Sequence, residues 1–332
     1  MSHPAAATAL RDAFGRELRY LRLSVTERCN FRCVYCLPQG CDREQAERPL
    51  SLAEIGRLVD ALAGLGFTKV RLTGGEPTLR PDLCDLVRRV AATPGIRRVG
   101  LTTNGMRLAE LAPELRRAGL SSVNVSLDSL DPDRFREITG SSGFERVLSG
   151  IEAALAAPIP TVKVNAVLLR DVVDGELERF LAWTRHEPVA VRFIELMETA
   201  DNRELFRERR LPAAELQARL LRLGWSELPR DPSDGPAATF GHPAHVGRVG
   251  LISAYARGFC DSCNRLRVSS AGDLRLCLFG DQTVPLRPLL ADDSQREALA
   301  ERIASAVARK PAAHQLAWGA CGSASNLAVT GG

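Results

Sequence analysis

The sequence predicts an α/β fold: a partial, open, TIM-like (β/α)6 barrel followed by a smaller C-terminal α+β unit. Three observations predict it. Between residues 20 and 225, short β-branched runs alternate six times with amphipathic helical stretches. Strands and helices in such a series make a parallel sheet with right-handed crossovers. Six units are too few to close an eight-fold barrel. The alternation then breaks: residues 226–247 are rich in Pro, Gly and small polar residues, and short strand-like runs follow. The expected division is 1–225 and 226–332, and a chain of 332 residues has room for both.

Each element has a local reason. The strands are expected at 20–26, 68–73, 98–103, 122–128, 160–169 and 189–195, where Val, Ile, Leu and Thr concentrate. Ser51-Leu52-Ala53-Glu54 reads as a capping box that opens the first helix, and Gly66 closes it. Pro81 suits the start of the second helix. Further helices are expected near 107–118, 143–157, 174–186 and 212–223. In the C-terminal unit, strands are expected at 248–254, 265–270 and 273–278, and a helix near 293–309.

Composition narrows the function. Basic residues number 44 and acidic residues 40, a net charge of +4, which argues against a basic nucleic-acid coat or an acidic tail. Residues 1–19 lack the apolar segment of a signal peptide, and no apolar run reaches membrane-span length. The expectation is a soluble, cytoplasmic protein. Nine cysteines form no even disulfide framework, and their close clustering points to metal instead. Lysine occurs only three times, at Lys69, Lys163 and Lys310.

The cysteines fall into two incomplete sets. Cys29, Cys33 and Cys36 form a C-x3-C-x2-C triplet directly after the first strand. That loop leaves the carboxyl end of a parallel strand, the functional rim of α/β barrels. Structural zinc wants four ligands, and Cys41 could be the fourth. A 4Fe–4S cluster held by three cysteines would leave one iron open to a small molecule. Cys260, Cys263 and Cys277 repeat the theme as C-x2-C-x13-C. Cys321, His242 and His245 are the candidates for a fourth zinc ligand there.

Polar residues recur at the strand ends. The second strand runs into Thr73-Gly74-Gly75-Glu76-Pro77, where two glycines let backbone approach a ligand closely. The third ends in Thr102-Thr103-Asn104-Gly105. The fourth carries Ser126 and Asp128, the fifth Lys163 and Asn165, and the sixth Glu195 and Met197. Any one is a common turn former, but together they would ring one pocket. Lys69 and Arg71 share a face of the second strand, and Arg22 lies in the first. Arg265 and Arg267, flanking Leu266, point one way on a strand beside the second cysteine set. Converging cations suggest a phosphorylated substrate.

The C-x3-C-x2-C triplet with Tyr35 before its last cysteine resembles the signature of the radical S-adenosylmethionine (SAM) enzymes. GGEP at 74–77 resembles that family's methionine-binding motif. A narrower resemblance spans about residues 11–332. It rests on Arg22 to Cys36, GLTTNG at 100–105, NVSLD at 124–128, VKVN at 162–165, RFIELM at 192–197, Cys260 to Arg267 with Cys277, and the terminal Gly331-Gly332. These are similar to the GTP 3′,8-cyclase family of molybdenum cofactor biosynthesis.

The resemblance implies two 4Fe–4S clusters, one on Cys29, Cys33 and Cys36 and one on Cys260, Cys263 and Cys277. It implies SAM contacts by Tyr35, Gly75, Ser126 and Met197. It implies GTP contacts by Arg22, Arg71, Thr102, Lys163, Arg265, Leu266 and Arg267, with Lys69 on the triphosphate. It gives catalytic roles to Arg22, Arg265, Arg267, Gly331 and Gly332, the last two as a tail entering the pocket. The implied reaction has a 5′-deoxyadenosyl radical abstract hydrogen from ribose C3′. The C3′ radical attacks guanine C8, and one electron from the second cluster and a proton complete 3′,8-cyclo-7,8-dihydro-GTP. The implied partners are an external one-electron reductant and cyclic pyranopterin monophosphate synthase, which takes the product; a homodimer is compatible. The tail departs from the family pattern at Asn326 to Thr330 and in carrying Cys321. Two other readings compete: a radical SAM peptide maturase with an auxiliary cluster, and a zinc-binding structural or nucleic-acid-binding protein.

Overall fold

The computed structural model describes residues 9–38, 40, 48–229 and 235–322. The barrel region runs β1 (Tyr20–Ser24), α1 (Leu52–Gly64), β2 (Lys69–Thr73), α2 (Leu83–Ala91), β3 (Arg98–Thr103), α3 (Leu108–Arg117), β4 (Ser122–Ser126), α4 (Pro132–Thr139), α5 (Phe144–Ala156), β5 (Val162–Leu168), α6 (Arg170–His186) and β6 (Ala190–Glu195). Then follow α7 (Arg203–Arg209), α8 (Ala213–Arg222), β7 (Ser226–Glu227), β8 (Ala238–Gly241), β9 (Arg248–Ile252), β10 (Arg265–Val268), β11 (Asp273–Arg275), β12 (Thr283–Pro285) and α9 (Arg296–Val307).

Among the described residues the strands form one sheet, ordered β12-β11-β10-β1-β2-β3-β4-β5-β6-β9-β8-β7. The six strands expected from the alternation pair in parallel, and the sheet does not close on itself. The C-terminal segment adds a parallel strand at each edge: β10 beside β1 and β9 beside β6. Periodicity along the chain carries no signal for such long-range pairing.

The alternation of each strand separates two environments. Leu21, Leu23, Val70, Leu72, Val99, Leu101, Val123 and Val125 face outward, where the helices bury them. The opposite face carries Arg22, Arg71, Thr102, Asn124, Ser126 and Arg192, which line an interior cavity. The barrel is therefore dry outside its sheet and polar within. The capping box forms as expected: Glu54 N–H donates to Ser51 Oγ at 3.2 Å, and Ser51 N–H to Glu54 Oε2 at 2.7 Å.

Helix α4 was not expected, although its signals are plain. Asp131 accepts the backbone N–H groups of Asp133 and Arg134, Pro132 opens the helix, and Gly140 ends it with φ 66°. Its C-terminal carbonyls are put to use. Arg32 N–H donates to Thr139 O at 2.8 Å and Val34 N–H to Ile138 O at 2.9 Å. The loop bearing the first three cysteines is thus clamped to the end of α4.

Candidate active site

A cavity of about 320 Å³ opens on the carboxyl ends of the parallel strands. Cys33 and Cys36 line it, and so do Cys260, Cys263 and Cys277. Each C-x2-C pair is one tight turn: Cys36 N–H donates to Cys33 O at 2.9 Å, and Cys263 N–H to Cys260 O at 3.0 Å. Cys29 sits just behind the lining, its sulfur accepting from Phe31 N–H at 3.5 Å. It is close enough that its charge, with those of Asp128 and Cys36, adds to burial in pushing the Cys33 thiol well up. Among the described residues, no three Cys, His, Asp or Glu side chains converge tightly enough for one metal ion. Three spaced thiols in each set suit a larger polynuclear group.

The zinc alternative fares poorly on its extra ligands. His242 and His245 pack on Trp225, with ring centroids 5.5 and 4.6 Å away, and neither lines the cavity. Cys321 is buried against Phe279 and Leu316 and does not itself line the cavity. Cys41, Gly331 and Gly332 lie outside the described residues.

The glycine pair after β2 lines the cavity and also allows a close backbone contact. A Cβ on Gly74 would stand 2.2 Å from Thr26 O, and one on Gly75 2.3 Å from Arg28 O. The two loops meet backbone to backbone. Gly75 N–H donates to Thr26 O at 2.8 Å and Glu76 N–H to Arg28 O at 2.7 Å. The glycines seat one loop on the cysteine loop, and those two N–H groups are already used. Glu76 then fastens this turn to β3. It accepts Thr78 N–H and Oγ1–H, Thr103 Oγ1–H and Asn104 N–H at 2.6–2.9 Å. Burial raises its pKa against those bonds.

Around the first set, Tyr35 Oη donates to Asp128 Oδ2 at 2.8 Å, and Val167 N–H donates to Asp128 Oδ1 at 2.8 Å. Burial lifts the Asp128 carboxyl to about 6 against these two donors. Asn202, which the sequence reading missed, ties the rim together. Its Nδ2 donates to Tyr35 O at 3.0 Å and to Met197 O at 3.1 Å.

The second set faces cations. The cavity lining holds Arg22, Lys69, Arg71, Lys163, Arg192, Arg265, Arg267 and Lys310, against the carboxylates Glu76, Asp128 and Glu195. All three lysines of the chain are among them. Burial lowers the pKa of Arg267, with Arg22 and Arg265 adding to it. Burial also lowers that of Arg22; Tyr20 opposes this, and Arg71 and Arg265 reinforce it. Buried like charges in one cavity are costly until an anion joins them. Cys263 answers in the opposite sense. Burial would raise its thiol, but Arg265 and Lys310 bring it down to about 7.

Three polar atoms in the lining lack a hydrogen-bond partner: His314 Nε2, and the pair Thr102 Oγ1 and Asn124 Oδ1, neighbours across β3 and β4. Buried polar atoms are normally satisfied, so this pair is set for a ligand. Arg192 and Asn165 are a further pair: Arg192 donates to Asn165 Oδ1 from Nε at 3.1 Å and from Nη2 at 2.7 Å. An arginine at an inward position of β6 was the available signal for Arg192. Strand alternation buries the Leu266 side chain in the core behind β10, which leaves its backbone as the part that can meet a ligand.

Two family models match the chain in succession: the radical SAM superfamily over residues 23–184 and Molybdenum Cofactor Synthesis C over residues 189–316. A GTP 3′,8-cyclase of Aeromonas hydrophila is 51% identical over 97% of this chain and 96% of its own. One from Stenotrophomonas maltophilia is 50% identical, and one from Synechococcus elongatus 49%, each over 97% of this chain and 99% of its own. Among solved structures, Streptococcus suis SuiB bound to S-adenosylmethionine superposes with a TM-score of 0.54. It covers 85% of this chain and 68% of its own at 14% identity, a likeness of fold. With half its residues shared along nearly the full length of these relatives, and with both family regions in place, the chain belongs to the GTP 3′,8-cyclase family of radical SAM enzymes.

Proposed function

We propose that the cavity is divided between two ligands: SAM at the Cys29–Cys33–Cys36 end and GTP at the cationic end beside Cys260, Cys263 and Cys277. The observation that carries this is that both cysteine sets and the cation belt face one cavity. The reaction of the family, GTP to 3′,8-cyclo-7,8-dihydro-GTP, needs both ligands side by side.

The two clusters, when bound, supply SAM cleavage to a hydrogen-abstracting radical at one end and an open iron for the substrate base at the other. The chain's own residues do the rest. Tyr35, anchored on Asp128, and Met197, anchored through Asn202, hold the SAM rim together with Gly75 and Ser126. Lys69, Arg71, Lys163 and Arg192 surround the triphosphate, and Arg22, Arg265 and Arg267 hold the nucleoside against the second set. Thr102 and Asn124, with free polar atoms, bond at the junction of the two ligands. Phe259, Leu276 and Leu278 line the cavity and exclude water from the radical chemistry.

The electron enters from an external one-electron reductant, and the product passes to cyclic pyranopterin monophosphate synthase. Cluster thiolates require a reducing compartment, which favours the cytoplasm. No described helix is long and apolar enough to cross a membrane.

Anaerobic reconstitution followed by iron and sulfide counting tests the reading, with about eight irons per chain expected for two four-iron clusters. Incubation with SAM, a strong reductant and GTP then yields GTP-dependent 5′-deoxyadenosine. Bound zinc without iron contradicts it. Iron without GTP-stimulated SAM cleavage contradicts the assignment of the cationic end.

A further inference from the structure

One row of positions crosses the inner face of the sheet as Arg267, Arg22, Arg71, Gly100 and Ser122. Three guanidinium-bearing positions are followed by one with no side chain. Like charges on neighbouring strands repel. Arg71 escapes by leaning across β3. Its Nε donates to Tyr20 Oη at 2.9 Å, its Nη1 to Leu101 O at 2.6 Å and its Nη2 to Ser122 Oγ at 3.0 Å. Ser122 is two strands away from Arg71, so the guanidinium must pass over Gly100. A Cβ at Gly100 would stand 2.7 Å from Arg71 Nη2, 2.8 Å from its Cζ and 2.8 Å from Ser122 Oγ, the hydroxyl that holds Arg71.

The far side of the sheet repeats the device. A second row reads Ser126, Asn165, Arg192 and Gly250. The stem of Arg192 lies over Gly250: a Cβ there would stand 2.8 Å from Cγ and 3.4 Å from Cδ. The head turns back to Asn165. Neither glycine has a positive φ, so the backbone conformation does not require glycine at either place. Glycine also weakens a strand interior and marks close approach. At both positions the nearest atom to an added Cβ belongs to an arginine side chain.

We infer that Gly100 and Gly250 are positioning residues for substrate, side-chain-free slots that seat Arg71 and Arg192 against the inner face where GTP binds. The inference rests on the assignment of these two arginines to GTP. Because the arginine and not the backbone meets the new methyl group, Gly100→Ala and Gly250→Ala displace a cation and leave the sheet intact.

The test uses the full reconstituted chain and equilibrium binding of GTP and of SAM without turnover. Each glycine variant is expected to weaken GTP binding roughly ten-fold, the scale of one charge-assisted hydrogen bond, with SAM affinity unchanged. Gly100→Ala placed on Arg71→Ala adds no further loss, because its effect runs through Arg71. That double variant also keeps the test valid should Gly100→Ala alone fold poorly, since it removes the Arg71 clash and leaves only Ser122 Oγ, a rotatable hydroxyl, against the new methyl group. Unchanged GTP affinity in both glycine variants overturns the inference, and so does a full additional loss in the double variant. Unchanged GTP affinity in Arg71→Ala alone overturns the underlying assignment of Arg71 to GTP, and the Gly100 inference with it.

Discussion

The two cysteine sets share a cavity and a turn geometry, but Cys33 of one and Cys263 of the other sit in opposite electrical surroundings. At the first, burial and then Asp128 push the Cys33 thiol well up, and Tyr35 and Asp128 supply an acidic, hydrogen-bonded wall. At the second, Arg265 and Lys310 outweigh burial and bring Cys263 to about 7. One end suits a sulfonium cation and the other a polyphosphate. The difference teaches that the same three-thiol motif is given its task by its neighbours. The scarce lysines are gathered there too: all three line this cavity.

The comparison can be broken at either end. The largest effect is expected from Cys33→Ala. It removes one cluster's iron and abolishes SAM cleavage, read by iron counting and by 5′-deoxyadenosine, while GTP still binds. Loss of GTP binding in that variant would mean the two ends are not separable. Next comes Arg267→Gln at the basic end. Losing one buried charge contact raises the KM for GTP roughly ten- to a hundred-fold, with SAM affinity unchanged.

The smallest effect is a pH dependence. Tyr20 is buried, which would raise its phenol, but Arg71, Arg22 and Lys69 bring it down to about 7. Lys69 Nζ sits 4.5 Å from its ring centroid. An unfolded tyrosine titrates at about pH 10. Between those values the unfolded chain holds the proton and the folded chain does not. The ligand-free chain therefore gains stability as pH rises from 7 toward 10 and loses it as pH falls through 7. Bound triphosphate takes over the cations and raises the phenol again. GTP affinity is thus expected to fall as pH rises above 7, and Tyr20→Phe to flatten that profile. A profile identical in both chains would remove Tyr20 from the cation belt.

Much of this was legible in the sequence because it is local. The six barrel strands follow from alternation, and their observed ends differ from the expected ones by at most two residues. The cysteine triplets follow from spacing. Arg22, Lys69, Arg71 and Lys163 follow from which face of a strand they occupy. What was missed depends on contacts distant in sequence. Lys310 reaches the second set only after the chain has folded back from α9. Asn202 joins Tyr35 to Met197 across 167 positions of sequence separation from Tyr35. The placement of β9 and β10 at the two sheet edges is a pairing choice invisible to any window. The close backbone contact made by the GGEP glycines has no sequence signal, because its partner, Thr26 to Arg28, lies on another loop. Helix α4 was readable from Asp131, Pro132 and Gly140 and still overlooked, although it holds the first cysteine loop in place.

The central claim is that the second cysteine set serves the substrate and the first serves SAM. Cys277→Ala tests it most directly, with SAM binding and conversion of GTP measured on the same anaerobic preparation. The account predicts that SAM binds as in the parent chain while formation of 3′,8-cyclo-7,8-dihydro-GTP is lost. Normal formation of that product by the variant would contradict it.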